Sequence, residues 1–361
     1  MSHIHSKAVL FESNSAKLSF ENVELPTPQE SELIVEIDLC TICGSDLHTI
    51  EGRRPAAGPM VLGHEIVGRV ALLPESGAVD IDGSPLQIGD RITWSLHASC
   101  GACFFCLNDL SQKCTELFKY GHQTPTAEYP STGGFATHCQ LRRGTSIIRL
   151  PESLTDSVAC PANCATATVA AAFRQAPAVA GKSVLILGAG MLGLTAIAWA
   201  HAHEADSIVV VEPNTKRADL AESFGASAVV AELGHAQQMT LDFTDGRGAD
   251  VAFDFCGRPD TVLASIHFLR TGGAAILVGS VMPTESISIS PEMLVRGCLN
   301  VTGVHNYLTR DLQSAIDFLV EFSGQYPFAD LVSSVHELTN IEDAIKASSS
   351  GDHVRVAIGR A

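Results

Sequence analysis

The sequence predicts an α/β protein built from a mostly β domain and a doubly wound parallel-sheet domain. Three observations carry this. The chain has 361 residues and 46% hydrophobic residues, more than a typical single domain needs and enough for two cores. Up to Leu150, short alternating runs are broken by Gly, Pro and Asp. From Gly181 onward, β-branched runs alternate with helical stretches, the rhythm of βαβ units buried on both faces.

In chain order, Glu32 to Leu39, Val61 to Leu72 and Arg91 to Trp94 read as strands of the first domain. In the second, Ser183 to Leu187 reads as a strand, Leu192 to Ala205 as a helix, Ser207 to Val211 as a strand and Asn214 to Phe224 as a helix. Val251 to Phe255 and Ala274 to Val278 continue the strands. An amphipathic helix, Leu312 to Phe322, and a strand near Val354 to Ile358 follow. The predicted division is residues 1–165 with 306–361 for the first domain and 166–305 for the second.

Forty acidic against twenty-three basic residues give a formal charge of -17, which repels nucleic acid phosphates and anionic lipid. Neither a nucleic acid nor a membrane partner is expected. No run approaches the roughly 18 apolar residues of a membrane span, and Met1 to Lys7 lacks the apolar stretch of a secretory signal. We therefore expect a soluble, cytoplasmic protein. In that reducing setting, eleven cysteines are better explained as metal ligands or small buried groups than as disulfides.

Gly188-Ala-Gly190-Met191-Leu192-Gly193 sits where a strand meets a helix. The first glycine can make the tight turn, the second admits a pyrophosphate against the backbone, and the third lets helix and strand pack closely. Unpaired N–H groups at the helix start favour the anion. Glu212 ends the next strand, 24 residues after Gly188. Its carboxylate can accept from an adenosine ribose and would repel a 2′-phosphate, which favours NAD over NADP. Arg217 nearby weakens that preference.

Cys100, Cys103, Cys106 and Cys114 form a C-x2-C-x2-C-x7-C run that can close a tetrahedral shell around a structural zinc. An iron–sulfur cluster is the chemical alternative for four thiols. Upstream, Cys43-Gly-Ser45-Asp46-Leu-His48 and Gly63-His64-Glu65 supply a thiolate and an imidazole about twenty residues apart. A catalytic zinc needs a third protein ligand and one open position. Cys164, in Pro-Ala-Asn-Cys-Ala-Thr, is the first candidate and Cys160 the competitor. Cys40, Cys139, Cys256 and Cys298 read as buried small side chains.

Taken together, these motifs resemble zinc alcohol dehydrogenases of the medium-chain dehydrogenase/reductase superfamily over nearly the whole chain. The resemblance implies a GroES-like first domain and a Rossmann second domain. It implies that Cys43, His64 and Cys164 bind catalytic zinc, that Asp46 supports the imidazole, and that Glu65 lies beneath the metal. With the structural site, that makes two zinc ions per chain. Ser45 and His48 would carry the alcohol proton outward, and Arg355 would salt-bridge the cofactor pyrophosphate. Substrates would be small alcohols and aldehydes or ketones, and the assembly a homodimer or homotetramer.

The acidic third ligand of many polyol dehydrogenases is absent, and the thiols missing from zinc-free quinone reductases are present. Thr93 to Cys106, Leu117 to His122 and Pro161 to Thr168 resemble a bacterial subgroup associated with phosphonate catabolism. Between His48 and His64 the chain carries Arg53 and Arg54. A guanidinium at Arg54, helped by Lys119 and His122, could pair with a phosphonate, phosphate or carboxylate. A solvated arginine pair is the plain alternative. Two other functions compete: a zinc-independent reductase with vestigial Cys43 and Cys164, and a non-catalytic NAD-binding sensor. The Ser45 and His48 pair argues against a sensor, which needs no proton exit.

Overall fold

The computed structural model describes residues 4–359 apart from 14, 16 and 57, so Met1 to His3 of the opening stretch lie outside the described residues. The chain divides into two compact units. The first comprises the residues up to Cys164, Leu308–Val320 and those from Phe328 onward; the second comprises Ala165–Tyr307 and Glu321–Pro327. The sequence places 321–327 with the first domain. They group with the second because Tyr326 stacks on Phe224 and bonds to His201 Nδ1 at 2.9 Å.

The first unit holds an eight-stranded sheet. Its main path runs Val332–His336, Arg355–Gly359, Leu33–Thr41, Glu65–Leu72, Arg91–Ala98 and Phe118–Lys119, with His138–Leu141 and Thr145–Arg149 joined alongside. A three-stranded sheet of Lys17–Leu25, Ile4–Glu12 and Met60–Val61 packs into the same core. Trp94, Tyr120 and Phe135 are fully buried there. Tyr120 keeps its hydroxyl satisfied by Thr145 Oγ1 at 2.6 Å, as a buried phenol requires.

One register positions the site. Leu33–Thr41 and Glu65–Leu72 run antiparallel with Thr41 opposite Glu65, and Ala357 lies opposite Thr41 on the other side. Cys43, His64 and Arg355 are therefore delivered to one end of the sheet. The expected strand Val61 to Leu72 is interrupted: Met60–Val61 pairs with Ile4–Glu12, and the chain then turns at Gly63, φ +83°, before Glu65–Leu72 begins.

The second unit is a six-stranded parallel sheet in the order Ala228–Val230, Ser207–Val211, Ser183–Leu187, Ala249–Asp254, Leu269–Leu277, Asn300–Gly303. Ser183–Leu187 and Ser207–Val211 are buried at every position, as central parallel strands must be. The helix Met191–Ala202 is apolar nearly all round and is buried along most of its length. Cys40 and Cys139 are buried as expected, whereas Cys256 and Cys298 are exposed. Cys298 follows the short helix Pro291–Gly297 as a left-handed cap, φ 48°, a surface position that residue type does not reveal. Among the described residues, no helix is long and apolar enough to cross a membrane.

Candidate functional site

Cys43, His64, Glu65 and Cys164 converge so that one donor atom from each lies within 4.8 Å of the others. Asp46 explains much of this placement. Its Oδ2 accepts from Cys43 N at 2.9 Å, its Oδ1 accepts from Gly63 N at 3.2 Å, and the same Oδ1 lies 3.3 Å from His64 Nδ1. One buried carboxylate thus holds both ligand-bearing segments and turns His64 Nε2 toward the cluster. Asn163 donates to the carbonyls of His64 and Trp94 at 3.0 and 2.9 Å, fixing the segment that carries Cys164.

Cys160, the competing ligand, points elsewhere: its thiol faces the carbonyls of Glu65 and Leu39 at 3.1 and 3.4 Å. Glu65 is engaged on both oxygens, by Arg355 Nη2 at 3.0 Å and Nε at 2.9 Å, with Thr41 Oγ1 at 2.6 Å. Arg355, expected toward a pyrophosphate, is only 8% exposed and forks onto Glu65, with Nη2 3.8 Å from Cys43 Sγ. Strand pairing places it there. Two thiols and one imidazole are left as donors, a set suited to zinc with one open position.

The electrostatics fit a cation. Burial works against a charged His64 ring, yet Asp46 and Cys43 hold it up to about 10. The Cys43 thiol is held well below its ordinary range, first by a hydrogen bond from Cys164 and then, against burial, by Arg355 and His64. Asp46 and the Cys43 sulfur thus favour a positive charge at this spot, and a metal ion bound there would supply it in place of the imidazole proton, with the thiol ionised and the ring neutral.

Ser45 Oγ lies 3.3 Å from His64 Nε2, at the edge of the donor cluster. His48, on the same short helix Gly44–Ile50, is half-buried, and burial followed by Arg53 lowers its pKa. Arg54 N donates to His48 O at 2.9 Å, and Arg54 Nη1 lies 3.3 Å from His122 Nε2. The His122 ring sits 5.1 Å from that of His64. Gly121 permits this approach: at φ +73° it presses on Gly63, where a Cβ would meet the carbonyl oxygen at 2.7 Å. Lys119, opposite His97 in the sheet, interacts electrostatically with Arg54, Cys164 and Cys43. Arg54, Lys119 and His122 are thus gathered beside the donor cluster, while Arg53 turns outward to Glu51.

In the cysteine lobe, neighbouring sulfurs stand 3.5 to 4.0 Å apart. A tetrahedron with zinc–sulfur bonds of 2.3 Å has edges of about 3.8 Å. Backbone N–H groups of Cys100 and Glu116 point at Cys114 Sγ at 3.3 Å, donors that suit thiolates.

In the second unit, Gly188 has φ +94°, and a Cβ on Gly193 would lie 1.8 Å from Gly188 O. Gly190 caps the helix Met191–Ala202, and a Cβ there would meet nothing within 4 Å. Glu212 accepts from Ala189 N and Asn214 N at 2.9 Å each, and from Arg217 Nη2 at 2.8 Å.

Thr41 and Asn163 escaped the sequence reading. Their only signal was nearness, two residues before Cys43 and one before Cys164.

A family model described as alcohol dehydrogenase GroES-like domain matches residues 29–152, and one described as zinc-binding dehydrogenase matches 192–321. L-threonine 3-dehydrogenase of Pyrococcus abyssi is 30% identical over 290 residues, 78% of each chain. An alcohol dehydrogenase of Geobacillus stearothermophilus is 29% identical over 356 residues, 96% of each chain. The solved structure of an alcohol dehydrogenase from Thermotoga maritima aligns with a TM-score of 0.93 at 26% identity, covering 99% of both chains. With the fold, the donor cluster and these likenesses in agreement, the chain belongs to the zinc-binding alcohol dehydrogenase family of the medium-chain dehydrogenase/reductase superfamily, oxidoreductases acting on CH–OH donors.

Proposed function

We propose that this protein is a zinc-dependent, NAD-linked dehydrogenase that interconverts a small alcohol and its aldehyde or ketone, the alcohol bearing a phosphonate or phosphate. The observation that carries the reading is the convergence of Cys43, His64 and Cys164 at one sheet end, with Asp46 behind the imidazole. These three hold a catalytic zinc; Cys100, Cys103, Cys106 and Cys114 hold a structural one. The unit comprising the residues up to Cys164, Leu308–Val320 and those from Phe328 onward serves as the metal-binding domain, and Ala165–Tyr307 with Glu321–Pro327 as the dinucleotide-binding domain.

When bound, zinc supplies Lewis acidity at the alcohol oxygen and the nicotinamide supplies the hydride acceptor. Ser45, next to His64 Nε2, accepts the hydroxyl proton, and His48 passes it toward water. Its lowered pKa leaves His48 a neutral acceptor near neutral pH. Glu65 is held off the donor set by Arg355 and Thr41. Gly188, Gly190 and Gly193, with the N–H groups of Met191 and Leu192, receive the pyrophosphate. Glu212 disfavours a 2′-phosphate, and Arg217 is already engaged by Glu212. The likeness of Thr93 to Cys106 and Leu117 to His122 to a phosphonate-associated subgroup supports an anionic alcohol.

Metal analysis and a substrate screen test this together. We expect two zinc ions per chain, one in Cys43→Ala, and nicotinamide reduction with NAD in preference to NADP. A wild-type protein with a single zinc supports the zinc-independent reductase instead. A screen of hydroxyalkylphosphonates, phosphorylated alcohols, polyols and plain alcohols without any turnover supports the sensor.

A further inference from the structure

We propose that Arg54 and Lys119, steadied by His122, form a receptor for a phosphoryl dianion, and that it selects compact alcohols whose carbinol carbon is separated from the phosphoryl group by one or two further chain atoms. This rests on the dehydrogenase reading for its substrate but not for its binding chemistry.

Each of the three residues is held by backbone contacts of its own segment, and two of the side chains also meet. Arg54 is tied through its backbone N–H to His48 O, and its guanidinium meets His122 Nε2 at 3.3 Å. His122 follows the turn that Gly121 allows to press on Gly63, and Lys119 ends a strand paired to His97. The plain reading, a solvated pair of arginines, holds for Arg53, whose side chain is 59% exposed and bonded to Glu51, but not for the half-buried Arg54.

Among the described residues, no salt bridge to a carboxylate involves Arg54 or Lys119, whereas Arg91, Arg217, Arg270 and Arg355 each have one. The negative charges felt by Arg54 are first the buried Asp46 carboxylate, already engaged by Cys43 N, Gly63 N and His64, and then the sulfurs of Cys43 and Cys164; Lys119 feels the two sulfurs. Those sulfurs belong to the metal donor set, and a divalent cation there would cancel the charge they offer. Burial, then Arg54, already depresses Lys119 to about 8. Two partly buried cations with no carboxylate in salt-bridge contact are costly on their own and are compensated by a ligand anion.

The donor set favours a phosphoryl group over a carboxylate. A planar guanidinium fork binds two oxygens side by side, an ammonium offers a point charge to a third, and two cations match two negative charges. The reach is short. With His64 and His122 rings 5.1 Å apart and Arg54 Nη1 3.3 Å beyond His122 Nε2, the His64 ring and the guanidinium are no more than about 10 Å apart. The metal bond at one end and the hydrogen bond at the other each take up about 2 to 3 Å of that span.

Binding and turnover are measured separately on the zinc-loaded protein. By calorimetry, methylphosphonate is expected to bind the wild type at least about tenfold more tightly than Arg54→Leu or Lys119→Met, with Arg54→Lys between, as the loss of a charge-assisted contact dictates. Thermal unfolding identifies any variant that has merely failed to fold. In turnover, two- and three-carbon hydroxyalkylphosphonates and ethylene-linked phosphate monoesters should exceed six-carbon phosphonates, hydroxy acids and neutral alcohols of equal length in kcat/KM. In Arg54→Leu the phosphonate-to-neutral ratio should fall about thirtyfold or more.

Equal binding of methylphosphonate by wild type and both variants overturns the receptor. Equal use of carboxylates or of six-carbon chains overturns the selectivity. Methylphosphonate binding that Arg54→Leu abolishes, in a protein that oxidises no alcohol, upholds the receptor and overturns the dehydrogenase reading alone.

Discussion

At the scale of single residues, Asp46 shows how few groups suffice to assemble the donor cluster. It is fully buried, yet its oxygens meet two backbone N–H groups and an imidazole, so its charge is compensated in place. Lys119 is the opposite case, an amine depressed to about 8 by burial and by Arg54. It is charged below that pH and neutral above it, so attraction for an anion is present on the acid side and lost on the alkaline side. Since a phosphate monoester is already dianionic above about pH 7, KM for a phosphorylated alcohol should rise between pH 7.5 and 9, an interval bracketing that value of about 8, while KM for a neutral alcohol does not follow it. Initial-rate profiles in parallel buffers check this. The convergence of Cys43, His64 and Cys164 was legible beforehand because few residue types can serve as zinc donors. Thr41, Asn163 and the orientation of Arg355 were not, since threonine, asparagine and arginine serve many purposes and only strand register gives them these.

At the scale of elements, the link between Ser183–Leu187 and Met191–Ala202 has no spare room. A methyl on Gly193 would stand 1.8 Å from Gly188 O, so Gly193→Ala must shift the turn that precedes the helix. We expect a loss of about 1–3 kcal/mol in stability and a cofactor dissociation constant raised at least tenfold, read by thermal unfolding and fluorescence titration. Ser183–Leu187 and Ser207–Val211 were readable to the residue, because a strand covered on both faces must be continuously apolar. The hairpin partner Lys17–Leu25 was not, being exposed over most of its length, and neither was the break at Gly63, because hydrophobic spacing carries no information about φ.

For the molecule as a whole, the cysteine lobe is a candidate staple. Its cross-link joins Cys100 to Cys114 with little apolar burial between them: Phe104, Leu107 and Leu110 are exposed. Such a segment would draw its order from an ion held by the four sulfurs. Cys106→Ser should lower the zinc content by one ion per chain and the melting temperature by roughly 5–10 °C, measured by metal analysis and calorimetry on the same sample. The two-part architecture was visible from the change of rhythm at Gly181. The crossing of 321–327 into the second unit was not, because the contact of Tyr326 with Phe224 and His201 joins positions more than a hundred residues apart.

Glu212 fastens the turn at Ala189 and the turn at Asn214 with its two oxygens, and it is 4% exposed. Anyone wishing to retune coenzyme choice by replacing this acid would therefore unpin two loops of the βαβ unit at once. On the proposed NAD reading, selectivity and local rigidity are inherited together, and a redesign has to rebuild both fastenings before it can alter the preference.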